Sequence, residues 1–152
     1  LDAAHGTDLK KRRSITGHCF MMSRRCVSHP CKTQSLTAAS STESEFYAAV
    51  SAAKQAKCLR SILTELGFPQ KRPTVMHCDN KSAMPMMNAS VPTERSRHID
   101  ISFFAMQDWK EAGHIIMEHI PGMINCADDL TKPLGWVLHS RHCRWIMGHY
   151  KC

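Results

Sequence analysis

The sequence predicts a mixed α/β domain, a sheet of antiparallel and parallel strands with helices packed on its faces. Three observations carry that reading. Residues 14–39 hold short β-tolerant runs joined by turns of a few residues, a connection that suits antiparallel strands. A helical period then runs from Thr42 to Leu66. Beyond it, short apolar runs alternate with helical stretches, the order that lays helices over a sheet.

Taken in order, Asp8–Arg13 (DLKKRR) reads as a charged turn and Ser14–Ser23 (SITGHCFMMS) as a strand. Arg24 and Arg25 turn the chain again, and a further strand, broken by Pro30, ends near Ala39. Thr42-x-x-Glu45 fits a capping box, the reciprocal side-chain pairing that starts a helix. Phe46, Ala49, Val50, Ala53, Leu59, Leu63 and Leu66 follow at helical spacing until Gly67 and Pro69 end the run. Pro73–Asp79 (PTVMHCD) is a short strand. Residues 82–88 read as a short helix, with Pro85 tolerable only in its first turn. His98–Glu111 places Ile99, Phe103 and Met106 on one stripe, and His114–Ile120 is a last strand. Asn125 caps a short helix through Thr131, and residues 136–147 form a basic helix stopped by Gly148. Residues 1–134 are read as the domain proper and 135–152 as a basic C-terminal helix or tail.

The 152 residues, 43% apolar and 22% charged, suit one domain that buries its own core. That composition excludes a disordered tail, a collagen or a coiled coil. No apolar run approaches the roughly 18 residues of a membrane span, so no membrane partner is expected, and no secretory leader opens the chain. A formal charge of +7 suits a polyanionic partner. The eight cysteines contain no Cys-x-x-Cys pair and read as reduced thiols of an intracellular protein. His139-Ser-Arg-His142-Cys143 lacks a second half at zinc spacing and reads as a basic helical face. Trp136, Trp145 and Met147 read as core packing.

Four of the 13 acids hold telling positions. Asp79 ends a short apolar strand, at the carboxyl edge where open α/β sheets place ligands. Glu45 and Asp128 lie in first turns of helices, and Asp2 precedes the first hairpin. Taken singly, each has a structural explanation, because the helix macrodipole favours an acid in a first turn and Asp79-Asn80 suits an ordinary turn. Gathered together, they would repel unless a hard divalent cation sat among them, and a basic surround would then hold phosphate.

Longer motifs sharpen this. Ser40–Ala49 (SSTESEFYAA) resembles the "SSTEAEYxAL" signature of the ribonuclease H domain in copia-type LTR retrotransposons. Lys54–Phe68 resembles the long helix ending "LLxELGF", and Cys78–Ala83 (CDNKSA) resembles "CDNxSA". Arg97–Ile101 resembles "KHIDI", and Ala127–Leu134 (ADDLTKPL) resembles "ADxLTKPL". Upstream, Arg12–Gly17 is similar to "RRSTSG" and Lys32–Gln34 to "KKQ". The motifs keep the family's order over nearly the whole chain.

The resemblance implies the ribonuclease H fold, a five-stranded mixed sheet whose first three strands are antiparallel, with helices on both faces and the first strand truncated. It also implies endonucleolytic hydrolysis of the RNA strand of RNA–DNA hybrids during reverse transcription. Asp2, Glu45, Asp79 and Asp128 match the family's catalytic acids and would hold two Mg²⁺ or Mn²⁺ ions; Glu43 and Asp129, beside two of them, would point elsewhere. Asn80, Lys81, Arg95, Arg97 and His98 would meet nucleic acid, with the Lys10–Arg13 turn adding phosphate donors. Reverse transcriptase and integrase regions would lie upstream in one polyprotein, in an intracellular setting: the element's cytoplasmic virus-like particle, or the nucleus. The chain departs from the family at Ala4, where a second acid is usual, at His5 in place of Trp, at Pro85, and in a Pro121–Asn125 loop without histidine. The competing readings are a weak or inactive nucleic-acid-binding module of the same fold, and a nuclease of another substrate class.

Overall fold

The computed structural model describes residues 1–8, 10–89 and 100–149. β1 (Asp2–Ala4) pairs antiparallel with β2 (Ile15–Gly17), Ala3 lying opposite Thr16. The segment expected as one strand from Ser14 to Ser23 breaks after Gly17. There the buried His18 turns inward, its ring Nε2 3.2 Å from Gln55 Oε1. A separate hairpin follows, β3 (Phe20–Met22) with β4 (Arg25–Ser28), closed by Ser23 and Arg24 at φ 48° and 66°. Two successive positive φ values give the turn the right-handed twist that paired strands need. β5 (Cys31–Thr33) then returns to the free edge of β2.

α1 (Ser41–Glu65) begins two residues earlier than the Thr42-x-x-Glu45 box proposes. Ser40 is the N-cap: its Oγ accepts from Glu43 N at 3.1 Å, and Glu43 Oε2 accepts from Ala39 N at 2.7 Å. The sequence holds two overlapping boxes, and choosing the earlier one releases Glu45 from capping. Phe46, Ala49, Val50 and Ala53 are buried as their spacing predicts, whereas Leu66 is exposed. At about 1.5 Å per residue α1 reaches roughly 37 Å, longer than strands of three to five residues can cover.

β6 (Thr74–Cys78) runs parallel to β7 (Ile115–His119), with Met76 opposite Met117. Between them lie α2 (Met84–Asn88), with Pro85 in its first turn, and α3 (Asp100–Glu111). Phe103 and Met106 of α3 are buried, and the Phe103 ring stacks on Phe46 of α1 at 6.2 Å. Ile99 lies outside the described residues. These side chains, with Met87, Cys78, Ile115 and the alanines of α1, make the core.

The described residues thus hold three separate sheets where the sequence predicts one mixed sheet. β1 and β6 nonetheless adjoin, since the Leu1 nitrogen donates to the His77 carbonyl at 2.8 Å. A strand of three residues offers little backbone to extend that contact. After β7 come two 3₁₀ turns, Gly122–Ile124 and Cys126–Leu130, the second capped by Asn125 and tighter than the expected helix. α4 (Trp136–Ile146) closes the described chain. Its buried residue is His142, not its tryptophans: Trp136 is 80% exposed and Met147 62%, which corrects the expectation of core packing. An open groove of about 810 Å³ lies among Trp136, Val137, Arg141, Arg144 and Trp145. Asp2, Glu45, Asp79 and Asp128 do not line it.

Candidate metal centre

Asp2 sits on β1, fully buried. α1 crosses this strand, and its Glu45, 4% exposed, turns down onto it, with Oε1 accepting from Ala3 N at 3.3 Å. Gln34 steadies that first turn: its buried amide donates to Thr16 Oγ1 at 2.9 Å and to the Ser44 carbonyl at 2.8 Å. Asp79 follows the last residue of β6, at its carboxyl end. One carboxylate oxygen from each of Asp2, Glu45 and Asp79 lies within 4.8 Å of the others.

Asp128 enters from the 3₁₀ turn over β1 and β2. Gly17 permits that approach, because a Cβ there would stand 2.7 Å from Leu130 Cβ and 2.8 Å from Thr131 Cγ2. Asn125 ties the turn down, donating to Leu1 O at 3.0 Å and to Asp128 Oδ1 at 3.4 Å. Lys132 links the two halves of the cluster: its ammonium lies 2.9 Å from Asp2 Oδ1 and 3.4 Å from Asp128 Oδ1. Thr131 donates its hydroxyl to the other Asp2 oxygen.

The electrostatics follow from crowding. Burial, reinforced by Asp2 and Asp79 and opposed by the Ala3 N–H, pushes Glu45 up to about 8. Burial and Asp2 push Asp128 up to about 6 against the pull of Lys132. Burial works against the Lys132 charge, but Asp2 and Asp128 outweigh it and hold the ammonium above its ordinary range. Lys132 is one positive charge among four carboxyl groups, so the site has room for more. The donor set, carboxylate oxygens from several chain segments, suits a hard divalent cation.

Other expected residues are placed less centrally. Asn80 commits its side-chain oxygen to the turn entering α2, accepting from Ser82 N at 3.0 Å and Ala83 N at 3.2 Å. Lys81 is exposed beside it. Lys10, Lys11 and Arg12 are exposed on a turn that Asp8 closes by accepting from Lys10 N and Lys11 N. Arg95, Arg97 and His98 lie outside the described residues. Glu43 is turned to the helix cap and Tyr47, and Asp129 to α4, where its Oδ1 is 3.2 Å from His139 Nδ1.

Reading the sequence misses Thr131, Lys132, Asn125 and His119. The first two stand within the ADDLTKPL motif, with Lys132 four residues after Asp128, the spacing at which side chains on a turn meet. His119 ends β7 with its Nε2 3.2 Å from the Asp79 carbonyl, so a histidine reaches this rim from the strand rather than from the loop after it.

Comparison with known proteins returns retrotransposon polyproteins. The chain is 34% identical over 131 residues, 86% of its length, to the retrovirus-related Pol polyprotein from transposon TNT 1-94 of Nicotiana tabacum. It is 30% identical over 133 residues, 88% of its length, to that from transposon RE1 of Arabidopsis thaliana. To that from transposon RE2 of the same plant it is 28% identical over 145 residues, 95% of its length. The matched segments are 10%, 9% and 10% of those polyproteins, so the chain spans about a tenth of the relatives it matches. No family model matches the chain, and no solved structure does.

Proposed function

We propose that this chain, homologous to a segment of retrotransposon Pol polyproteins, is a ribonuclease H domain that cuts the RNA strand of RNA–DNA hybrids endonucleolytically. One observation carries the reading: carboxylates from β1, the first turn of α1 and the end of β6 meet within 4.8 Å, with Asp128 joined to them through Lys132. Asp2, Glu45, Asp79 and Asp128 would hold two Mg²⁺ or Mn²⁺ ions. When bound, such ions supply an activated water and charge stabilisation of the 3′-oxygen leaving group.

The chain's own residues prepare that chemistry. Glu45, raised to about 8, holds its proton at neutral pH and would give it up to a cation, whereas Asp128, raised only to about 6, is largely ionised there. Lys132, its side chain 40% exposed, neutralises Asp2 and Asp128 meanwhile and has room to swing toward a phosphate. Thr131 fixes the Asp2 carboxylate. Lys81 and the Lys10–Arg13 turn supply phosphate contacts, and the Asn80 amide nitrogen is left to reach the shallow minor groove, where 2′-hydroxyls mark RNA. Reverse transcriptase and integrase regions of the same polyprotein are the expected covalent neighbours.

A second reading, a module that binds hybrid without cutting it, has one observation in its favour: Lys132 already bridges two of the acids. Single-turnover assays on labelled hybrid, duplex RNA and duplex DNA separate the two. A ribonuclease H cuts the hybrid alone, in Mg²⁺ and not in EDTA, and Asp79→Asn loses nearly all cleavage while keeping salt-sensitive hybrid binding. Tight binding with no cleavage by the parent in Mg²⁺ or Mn²⁺ establishes the second reading. Equal cleavage by parent and Asp79→Asn overturns the metal site.

A further inference from the structure

Asp129 is directed away from the carboxylate centre toward one face of α4, where His139, His142 and Cys143 stand at helical spacing. One ligand atom from each of Asp129, His139 and Cys143 lies within 4.8 Å of the others. Asp129 Oδ1 is 3.2 Å from His139 Nδ1, and Cys143 Sγ is 3.8 Å from the same nitrogen. Around a tetrahedral ion with bonds of about 2.0–2.3 Å, such atoms sit about 3.3–3.8 Å apart. The half-site read from sequence thus finds its partner ten residues upstream of His139, across a turn.

A second observation points to a cation. His142 is fully buried, and its Nε2 lies 3.2 Å from the Met123 carbonyl. A carbonyl only accepts, so Nε2 carries the hydrogen, and a neutral ring presents a bare lone pair at Nδ1. That Nδ1 faces Asp129 Oδ2 at 3.7 Å; both atoms are buried, and neither has a hydrogen-bond partner. Two acceptors facing one another in a dry site need a positive charge between them.

We infer that Asp129, His139, His142 and Cys143 form a second cation site, for a zinc-class transition metal, that clamps α4 to the turn carrying Asp128. Thiolate and imidazole ligands select zinc-like ions over Mg²⁺, and one carboxylate with one thiolate balances a divalent charge. Closing the set needs rotation of the exposed His139 and half-buried Cys143 toward the buried Asp129–His142 pair. The Met123 carbonyl is the outer partner that orients a metal-bound histidine. Binding releases the Cys143 thiol proton. None of these ligands belongs to the nuclease carboxylates, so this site stands or falls independently of that reading.

Co²⁺, a spectroscopic substitute for Zn²⁺, tests it on the reduced, metal-free whole chain. One Co²⁺ per chain should give a thiolate-to-cobalt charge-transfer band that Zn²⁺ abolishes and excess Mg²⁺ does not, and Zn²⁺ should raise Tm. Cys143→Ser should remove the band. His139→Ala, at an exposed position that folding tolerates, should weaken affinity at least about tenfold. Asp79→Asn and Cys126→Ser should leave the band intact. Absence of a thiolate band in the parent overturns the proposal. So does a band that survives Cys143→Ser, or one lost in Cys126→Ser, since Cys19 and Cys126 are another hydrogen-bonded thiol pair.

Discussion

Glu45→Gln separates what the carboxylate cluster costs the fold from the part it would play in the proposed cleavage. Glutamine keeps the shape of the side chain and an oxygen for the Ala3 N–H, while removing one of three charges gathered within 4.8 Å. Glu45 is pushed from the ordinary 4.5 to about 8, by burial first and Asp2 next. Between those values the folded chain binds more protons than the unfolded one. Stability is therefore full below the ordinary glutamate range and is lost as pH rises through the folded value. At pH 7 the loss is on the order of 3 kcal/mol, from about 1.4 kcal/mol for each tenfold change in proton affinity. For a chain of this length that is roughly 6–12 °C in Tm. Glutamine carries no such penalty. In EDTA, calorimetric melts at stepped pH should show Glu45→Gln gaining on the parent from about pH 5 to about pH 8. Mg²⁺ should return the lost stability to the parent, give the variant much less, and leave the variant unable to cut hybrid. If Glu45→Gln melts below the parent at alkaline pH in EDTA, or the difference between them does not change with pH, the cluster is not held together against its own charge and the reasoning fails.

Lys132→Met keeps the aliphatic stem but removes the ammonium from Asp2 and Asp128. Its partial exposure places the metal-free loss at about 1–2 kcal/mol, below that of a fully buried pair, and Mg²⁺ should make up most of it in the same melts. Gly17→Ala should cost about 1–3 kcal/mol by urea titration, because the new methyl meets Leu130 and Thr131 below van der Waals contact. The displaced turn carries Asp128, so cleavage should fall with it; an unchanged rate would remove Asp128 from the ion set.

Much of the secondary structure was legible in the sequence, because its signals are local. The 3.6-residue period of Phe46, Ala49, Val50 and Ala53 specifies α1, Pro85 marks the first turn of α2, and Phe103 with Met106 marks the buried stripe of α3. Each signal lies within a turn or two of chain. Where two local signals compete, the sequence is silent: Ser40-x-x-Glu43 and Thr42-x-x-Glu45 are both capping boxes, and packing on β1 is what uses the first and frees Glu45. The break at His18 and the exposed Trp136 are of the same kind, since burial of one face depends on what lies opposite it.

The site divides along that line. The four acids were visible as motif members, each at a strand end or helix start, but nothing local says that they meet. The hydroxyl of Thr131 reaches Asp2 across 129 residues and the ammonium of Lys132 across 130, distances over which no periodicity carries information. The same holds for Asp129, which sits beside Asp128 in the chain yet turns to histidines on α4. Which way each neighbouring carboxylate points is decided by where the 3₁₀ turn lies on β2, and that depends on the absence of a side chain at Gly17. Chemistry is written residue by residue, whereas electrostatic proximity exists only after the chain has closed on itself.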